Sequence, residues 1–160
     1  YQMFNFYMSC LGGKTNLDIL EIGPGHGLFT TAALKRLPIG GAYTCIDISK
    51  ESLKMTEKMI NSNSHVAQQK TINYIKADFM DFECKNAFDF GIMAEVLEHV
   101  PGPLSFLKKM RKLLSSKSFL FTTTAINSPA IDHIYHFRTL DEVQELFDSA
   151  GFETMELFFL

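Results

Sequence analysis

The feature that most constrains this chain is the stretch LDILEIGPGHG, residues 17–27. An apolar run carries the acidic residue Glu21 near its end, and glycines then occupy alternate positions, Gly23, Gly25 and Gly27. A helix-like pattern follows, with Leu28, Phe29, Ala32, Ala33 and Leu34. Strand, tight turn, helix is the opening of a nucleotide-binding βαβ unit. Glycine lets backbone approach a ligand closely because no Cβ stands in the way. Such a turn lies at the carboxyl end of a parallel strand, where open α/β sheets bind ligands.

The spacing narrows the ligand. In the dinucleotide fingerprint G-x-G-x-x-G, the third glycine would fall on Leu28, which breaks it. No Lys-Ser or Lys-Thr closes the turn, so the phosphate loop is absent too. What stands here is E-x-G-x-G-x-G, from Glu21 to Gly27. It closely resembles motif I of the class I S-adenosylmethionine (SAM) dependent methyltransferases. A glycine turn alone is weakly specific, so the rest of the chain has to carry the resemblance.

Strands and helices alternate along that remainder. A buried strand is expected over 42–47, ending in Asp47, with Ser49 capping a helix that runs to about Asn61. A polar loop over 61–69 leads to a third strand over 71–76. A fourth is expected over 88–94. Pro103 suits the first turn of a helix ending near Leu114. A fifth strand is expected over 119–124. Thr139 and Glu142 have the spacing of a capping box for a helix that stops at Gly151. A sixth strand is expected over 152–160. Ahead of all this, residues 1–13 are aromatic and Met-rich, an N-terminal helical segment closed by Gly12 and Gly13. The pattern predicts an α/β fold, a doubly wound, mostly parallel sheet in one domain over 1–160. The resemblance implies a Rossmann-like methyltransferase fold with a seventh, antiparallel strand beside the sixth. The sequence reaches Leu160 just after the sixth, so that last strand, or an internal segment, is expected to be missing. A start at Tyr1 is expected of a trimmed segment.

Composition bounds the partners. The 160 residues are enough for one domain with a real core. A net charge of −3 gives no pull toward nucleic acid or anionic membrane. No apolar run is long enough to span a bilayer, and no signal peptide is visible. Three scattered cysteines without a C-x-x-C pair fit a reducing, cytoplasmic setting. The basic run Lys108, Lys109, Arg111, Lys112 and Lys117 lies opposite Leu104, Leu107, Met110 and Leu114, which makes it a solvated helix face. No nucleic-acid partner is expected, and oligomeric state is left open.

Further motifs extend the resemblance over most of the chain. Asp47 ends the second strand, where a carboxylate accepts hydrogen bonds from ribose hydroxyls; that feature serves NAD and SAM alike. In the family, an acidic residue at the position of Asp78 accepts from the adenine amino group, which implies that Phe79, backbone and side chain, faces the adenine ring. Phe88-Asp89 and Glu95-Val96-Leu97-Glu98-His99-Val100 look like motif IV. They resemble the small-molecule branch, which includes ubiquinone-biosynthesis O-methyltransferases and sugar or natural-product methyltransferases. The helix from Thr139 to Phe152 also looks like that branch. The resemblance implies that Glu21 and the backbone of Gly23, Gly25 and Gly27 hold the methionine end of SAM, with the carbonyl of Ala94 and the side chain of Glu95. Ile48 joins Asp47 in the cofactor set. His26 is expected to cap the following helix or sit exposed.

These readings predict methyl transfer from SAM to a small-molecule acceptor through oxygen, nitrogen or carbon, with S-adenosylhomocysteine as product. Because a sulfonium methyl is already electrophilic, in-line positioning contributes most. A base is needed only when the nucleophile starts protonated. An imidazole titrates near neutrality, at about 6.5, which makes His99 the first candidate base. The alternative is that Glu98 and His99 only hold the loop-helix junction. His133 and His136, with Asp132, lie after the fifth strand as further base candidates or as loop-ordering residues. Arg138 is placed to pair with an anionic substrate group or with a surface acid. His133 and His136 with Asp132 also have a spacing that could assemble a divalent metal site, but with no second cluster in the sequence no metal site is expected. Two rival functions remain, a non-catalytic or truncated SAM-binding module and an NAD-linked oxidoreductase.

Overall fold

The computed structural model describes residues 16–35, 41–62 and 71–157. The segment expected over 1–13 lies outside these, as do most of the turn near Pro38 and most of the polar loop over 61–69. Five strands form one sheet: β1 (Ile19–Ile22), β2 (Tyr43–Asp47), β3 (Ile72–Lys76), β4 (Phe88–Ala94) and β5 (Leu114–Thr123), in the order β3-β2-β1-β4-β5. Every described pairing is parallel. The helices are α1 (Leu28–Leu34), α2 (Lys50–Asn61), α3 (Pro103–Leu113) and α4 (Leu140–Ser149).

The sheet is covered on both faces because alternate residues of its strands are apolar on both sides. Leu20, Ile22, Ile46 and Met93 pack on one face with Leu107 and Met110 of α3 and Val143 of α4. Ile19, Tyr43, Cys45, Phe90 and Ile92 pack on the other with Ala33 and Leu34 of α1 and Leu53 and Ile60 of α2. This is the expected doubly wound arrangement. The chain winds outward from β1 to β3, then crosses to β4 on the other side of β1. The switch point, between β1 and β4, is where such sheets open a ligand crevice.

Local signals place the helix ends. The Ser49 hydroxyl accepts from the Ser52 N–H at 3.1 Å. Thr139 accepts from the Glu142 N–H at 3.2 Å, but the Glu142 carboxylate returns to the Arg138 N–H at 2.9 Å, one residue outside the expected box. The α4 helix closes with Gly151 at φ +82°. Its N–H donates to the Asp148 carbonyl at 3.0 Å, and the Phe152 N–H donates to the Phe147 carbonyl at 3.0 Å. The Phe147 and Phe152 rings meet at 6.0 Å, which completes a Schellman motif with its hydrophobic contact.

That cap accounts for one departure from expectation. Phe152 packs back on its own helix, and residues 152–157 are irregular rather than a sixth strand. A second departure is that β5 begins at Leu114, directly after α3, instead of at Phe119. Phe88 pairs with Leu114 and Phe90 with Phe119, so an irregularity between them absorbs the added residues. The polar run Ser115-Ser116-Lys117-Ser118 hid this strand, because an outer strand with solvated residues lacks the apolar pattern of a buried one.

Candidate active site

The glycine loop is held from below and behind. Gly23, Gly25 and Gly27 have φ +64°, +56° and +79°, the left-handed region that disfavours side chains. The Gly27 N–H donates to the Pro24 carbonyl at 2.8 Å, closing the turn, and the Gly23 N–H donates to the Ile46 carbonyl at 2.9 Å. Two of the glycines are required by internal packing as well. A Cβ on Gly23 would meet Val96 Cγ2 at 2.9 Å, and one on Gly27 would meet the Thr56 Cα at 3.1 Å. A Cβ on Gly25 would meet nothing within 4 Å, so this glycine faces open space. The Thr56 hydroxyl of α2 donates to the Gly25 carbonyl at 3.0 Å, and the Ser52 hydroxyl oxygen lies 3.4 Å from the same carbonyl. His26 is exposed and caps nothing; Gly27 itself is the N-cap of α1.

Asp47 ends β2 beside this loop. One carboxylate oxygen accepts the Ser49 N–H at 2.8 Å, and the other accepts the Ser52 hydroxyl at 2.7 Å. An ionised carboxylate has about four acceptor sites, so two remain for a ligand. The neighbouring Ile48 is 71% exposed, an apolar side chain at a strand end with no core to enter.

Glu21 turns inward from β1 and is only 2% exposed. The Thr30 and Tyr43 hydroxyls both donate to its Oε2 at 2.6 Å. Burial pushes its carboxyl up to about 7, against the pull of those two hydrogen bonds. Burial and the nearby Glu21 likewise push the Cys45 thiol far up. Glu21 thus braces the loop from inside the core rather than lining the crevice.

Asp78 follows β3 and accepts the Met80 N–H at 2.8 Å, capping a short 3-10 turn over Phe79–Asp81. Phe79 departs from expectation. Its side chain is buried, with its ring 5.4 Å from that of Phe106, so only its backbone is available to a ligand. The apolar ring enters the core beneath α3 because that burial is worth more than an exposed stack.

The carboxyl end of β4 carries the rest. Ala94 is half-buried, and Glu95 has φ +52°, uncommon for a side-chain-bearing residue. The Glu95 N–H donates to the Thr123 carbonyl at 3.0 Å. Desolvation, with Glu98 beside it, raises the Glu95 carboxyl above the ordinary range, while Thr123 and His99 work the other way.

Glu98 is fully buried and clasps the loop after β5 at both ends. Its carboxylate accepts the Thr124 hydroxyl at 3.0 Å and the Ala125 N–H at 3.3 Å. Its carbonyl accepts the Ile134 and Tyr135 N–H groups at 2.8 and 2.9 Å. The loop so held brings His133 to 5.2 Å from the His99 ring, edge to face, and His136 to 6.2 Å from His133. His99 Nδ1 lies 2.9 Å from the Asp132 carbonyl and 3.8 Å from its carboxylate. A proton on Nδ1 donates to that carbonyl and leaves Nε2 as the basic nitrogen. One donor atom from each of Glu98, His99 and His133 lies within 4.8 Å of the others. Sequence reasoning selected no metal set, and this trio is a geometry able to hold a divalent cation.

Thr30, Tyr43, Ser52 and Thr56 are supports that sequence reasoning missed. The signals were a Glu and a Tyr in apolar strands, each needing a partner, and two hydroxyls one helical turn apart on α2. Of the basic run, Lys108, Lys112 and Lys117 are exposed, but Lys117 lies in β5, Arg111 is half-buried and the Lys109 side chain is only 11% exposed, so the run is not the single solvated helix face expected. Lys109 pairs with Glu83 at 2.7 Å, and Arg111 Nε donates to the Gly151 carbonyl at 3.3 Å.

A sequence model of the methyltransferase domain matches residues 20–120. The ubiquinone biosynthesis O-methyltransferase of Nitrosomonas europaea is 26% identical over 126 residues, 78% of this chain and 51% of that protein. The chain therefore spans about half the length of the curated relatives it matches. Magnesium protoporphyrin IX methyltransferase from Synechocystis PCC 6803, solved with bound SAM, has a TM-score of 0.74 at 14% identity, over 97% of this chain and 68% of that one. The 4+2-cyclase SpnF has a TM-score of 0.77 at 15% identity, over 97% and 57%. At such identities the structural likeness is one of fold, and the two names show one fold serving different chemistry. The sequence match covers most of the chain and includes the switch-point loop: this chain belongs to the methyltransferase domain family.

Proposed function

We propose that this chain is the SAM-binding and catalytic unit of a small-molecule methyltransferase. The observation that carries the reading is the group beside the switch point. There the open side of Gly25, the Asp47 carboxylate with two acceptor sites to spare and the exposed Ile48 adjoin one another at the ends of β1 and β2. These residues fit a nucleoside with a charged tail. Asp47 accepts from the ribose hydroxyls and Ile48 covers an adenine face. Asp78 and the Phe79 backbone meet the adenine edge. The Gly23–Gly27 backbone, the Ala94 carbonyl and Glu95 hold the methionine end, with Glu21 bracing the loop from within. SAM supplies a methyl carbon that needs alignment rather than activation. The relatives' name favours a hydroxyl acceptor, whose proton must leave. His99 Nε2, oriented by the Asp132 carbonyl, takes that proton, with His133 and His136 beside it.

Calorimetric titration with S-adenosylhomocysteine and NAD tests the reading. Asp47→Ala is expected to weaken adenosylhomocysteine binding by about 1.5–3 kcal/mol, the range for a lost charge-assisted hydrogen bond. Unchanged affinity in a folded variant removes Asp47 from the site.

A second reading has its own observation, the trio Glu98, His99 and His133. Mixed carboxylate and imidazole donors suit a divalent ion such as Zn²⁺ or Mn²⁺. There the ion would make a bound hydroxyl more acidic, and His99 would be a ligand rather than a base. Activity abolished by chelation and restored by one added metal favours this reading; activity indifferent to chelation leaves His99 as the base.

A further inference from the structure

The loop between β5 and α4 folds over a hollow of about 210 Å³, lined among others by Asn127, Ser128, His133, His136 and Arg138 over an apolar floor that includes the buried Phe137. At roughly 30 Å³ per water, that is room for on the order of seven waters, or one ring-sized group. The hollow is built rather than incidental. The Asn127 N–H donates to the Phe137 carbonyl at 2.8 Å, Ile126 bridges to Phe137, and the Glu98 carbonyl holds Ile134 and Tyr135.

Its lining holds one fixed charge, that of Arg138. The lining carries the Arg138 guanidinium and the imidazoles of His133 and His136, and no lining residue is acidic. The Arg138 side chain has no ion pair or hydrogen bond among the described residues, although its backbone N–H is bound to Glu142. Glu142 accepts from the Tyr135 hydroxyl at 3.2 Å and from the Arg138 backbone N–H, and Asp132 stands beside His99. A guanidinium with five fixed donors and no partner is suited to a planar anion. The hollow joins the proposed proton acceptor through His133, whose ring meets that of His99 at 5.2 Å.

We propose that this hollow is an anion subsite of the methyl acceptor, with Arg138 as the counter-ion of a carboxylate carried by a small, ring-sized substrate. The inference rests on the methyltransferase reading for the word acceptor, but not for the binding itself. Arg138 is then a specificity-determining residue, selecting acidic over neutral acceptors of the same shape, and Asn127 and Ser128 offer further donors at the rim.

The test uses a matched pair, benzoate and benzamide, titrated in the presence of a chelator so that no metal ion can hold the carboxylate. Ring-proton NMR signals of His133 and His136 report binding, and adenosylhomocysteine binding is measured separately by calorimetry. The expected result is benzoate binding at least about tenfold tighter than benzamide, with the preference lost in Arg138→Gln and partly kept in Arg138→Lys. Adenosylhomocysteine affinity stays unchanged in both variants. Equal binding of the two probes, or a preference that survives Arg138→Gln, overturns the proposal. A wild-type chain that binds benzoate selectively but not adenosylhomocysteine keeps the anion subsite and defeats the methyltransferase reading instead.

Discussion

Glu21 shows how much one residue in an apolar strand can reveal about the site above it. A carboxylate taken from water at that depth needs donors, and it has two, from Thr30 and Tyr43. They do not fully offset burial, so its carboxyl is held at about 7 against the ordinary 4.5. The folded state therefore keeps a proton between about pH 4.5 and 7 that the unfolded chain has lost. Stability falls as pH rises through that window. The full contribution is on the order of 3 kcal/mol at about 1.4 kcal/mol per pH unit. Glu21→Gln is expected to flatten this dependence, measured as the denaturation midpoint from pH 5 to 8. A wild-type midpoint that rises over the same range contradicts the burial argument. Glu98 is a second buried carboxylate, with the Thr124 hydroxyl and the Ala125 N–H as its donors. Glu98→Ala leaves those two groups without their acceptor and is expected to cost about 2–4 kcal/mol by thermal unfolding, with Glu98→Gln costing distinctly less. Equal losses in the two variants would mean that hydrogen bonding is not what Glu98 supplies.

Among the elements, two left-handed glycines make different demands. Gly151 closes α4, and a Cβ there meets nothing. Gly27, at the start of α1, is crowded, and a Cβ there would lie 3.1 Å from the Thr56 Cα. Gly151→Ala is therefore expected to cost about 1 kcal/mol, the backbone term alone. Gly27→Ala is expected to cost more, roughly 2–4 kcal/mol, because α1 and α2 must also part. Denaturant midpoints of both variants check the order; the reverse order would refute the packing argument. The same elements show what was legible in the sequence. The β1, β2 and β4 strands were legible because both faces of each are largely buried, which leaves a mostly apolar run. The glycine loop and Asp47 were legible because a switch point imposes spacing. The start of β5 was hidden by its solvated Ser and Lys residues. The fate of Phe152 was hidden because an apolar residue after a helix serves a cap as well as a strand. The inward turn of Phe79 and the Glu98 clasp depend on contacts with Phe106 and with residues 124–135, which no local pattern encodes.

At the scale of the whole molecule, the parallel sheet does one thing for function: it gathers residues distant in sequence at the ends of its strands. Gly25, Asp47, Asp78 and Glu95 come from four strand ends, and His99 and His133 meet only because β4 and β5 are neighbours. No helix among the described residues is long and apolar enough to cross a membrane. β5 is the outer strand of the described sheet, and a cleft of about 920 Å³ runs between it, α4 and residues 152–157 and reaches Glu95. Membership in the methyltransferase domain family states the fold and the ancestry of the crevice; the ligand itself is a matter of affinity. The most direct measurement is a calorimetric titration of the chain with S-adenosylhomocysteine and NAD, beside Asp47→Ala. Adenosylhomocysteine binding that weakens at least about tenfold in the variant, with no heat from NAD, is the predicted result. Binding of NAD in its place, or no binding of the sulfur nucleoside by the folded chain, would contradict it.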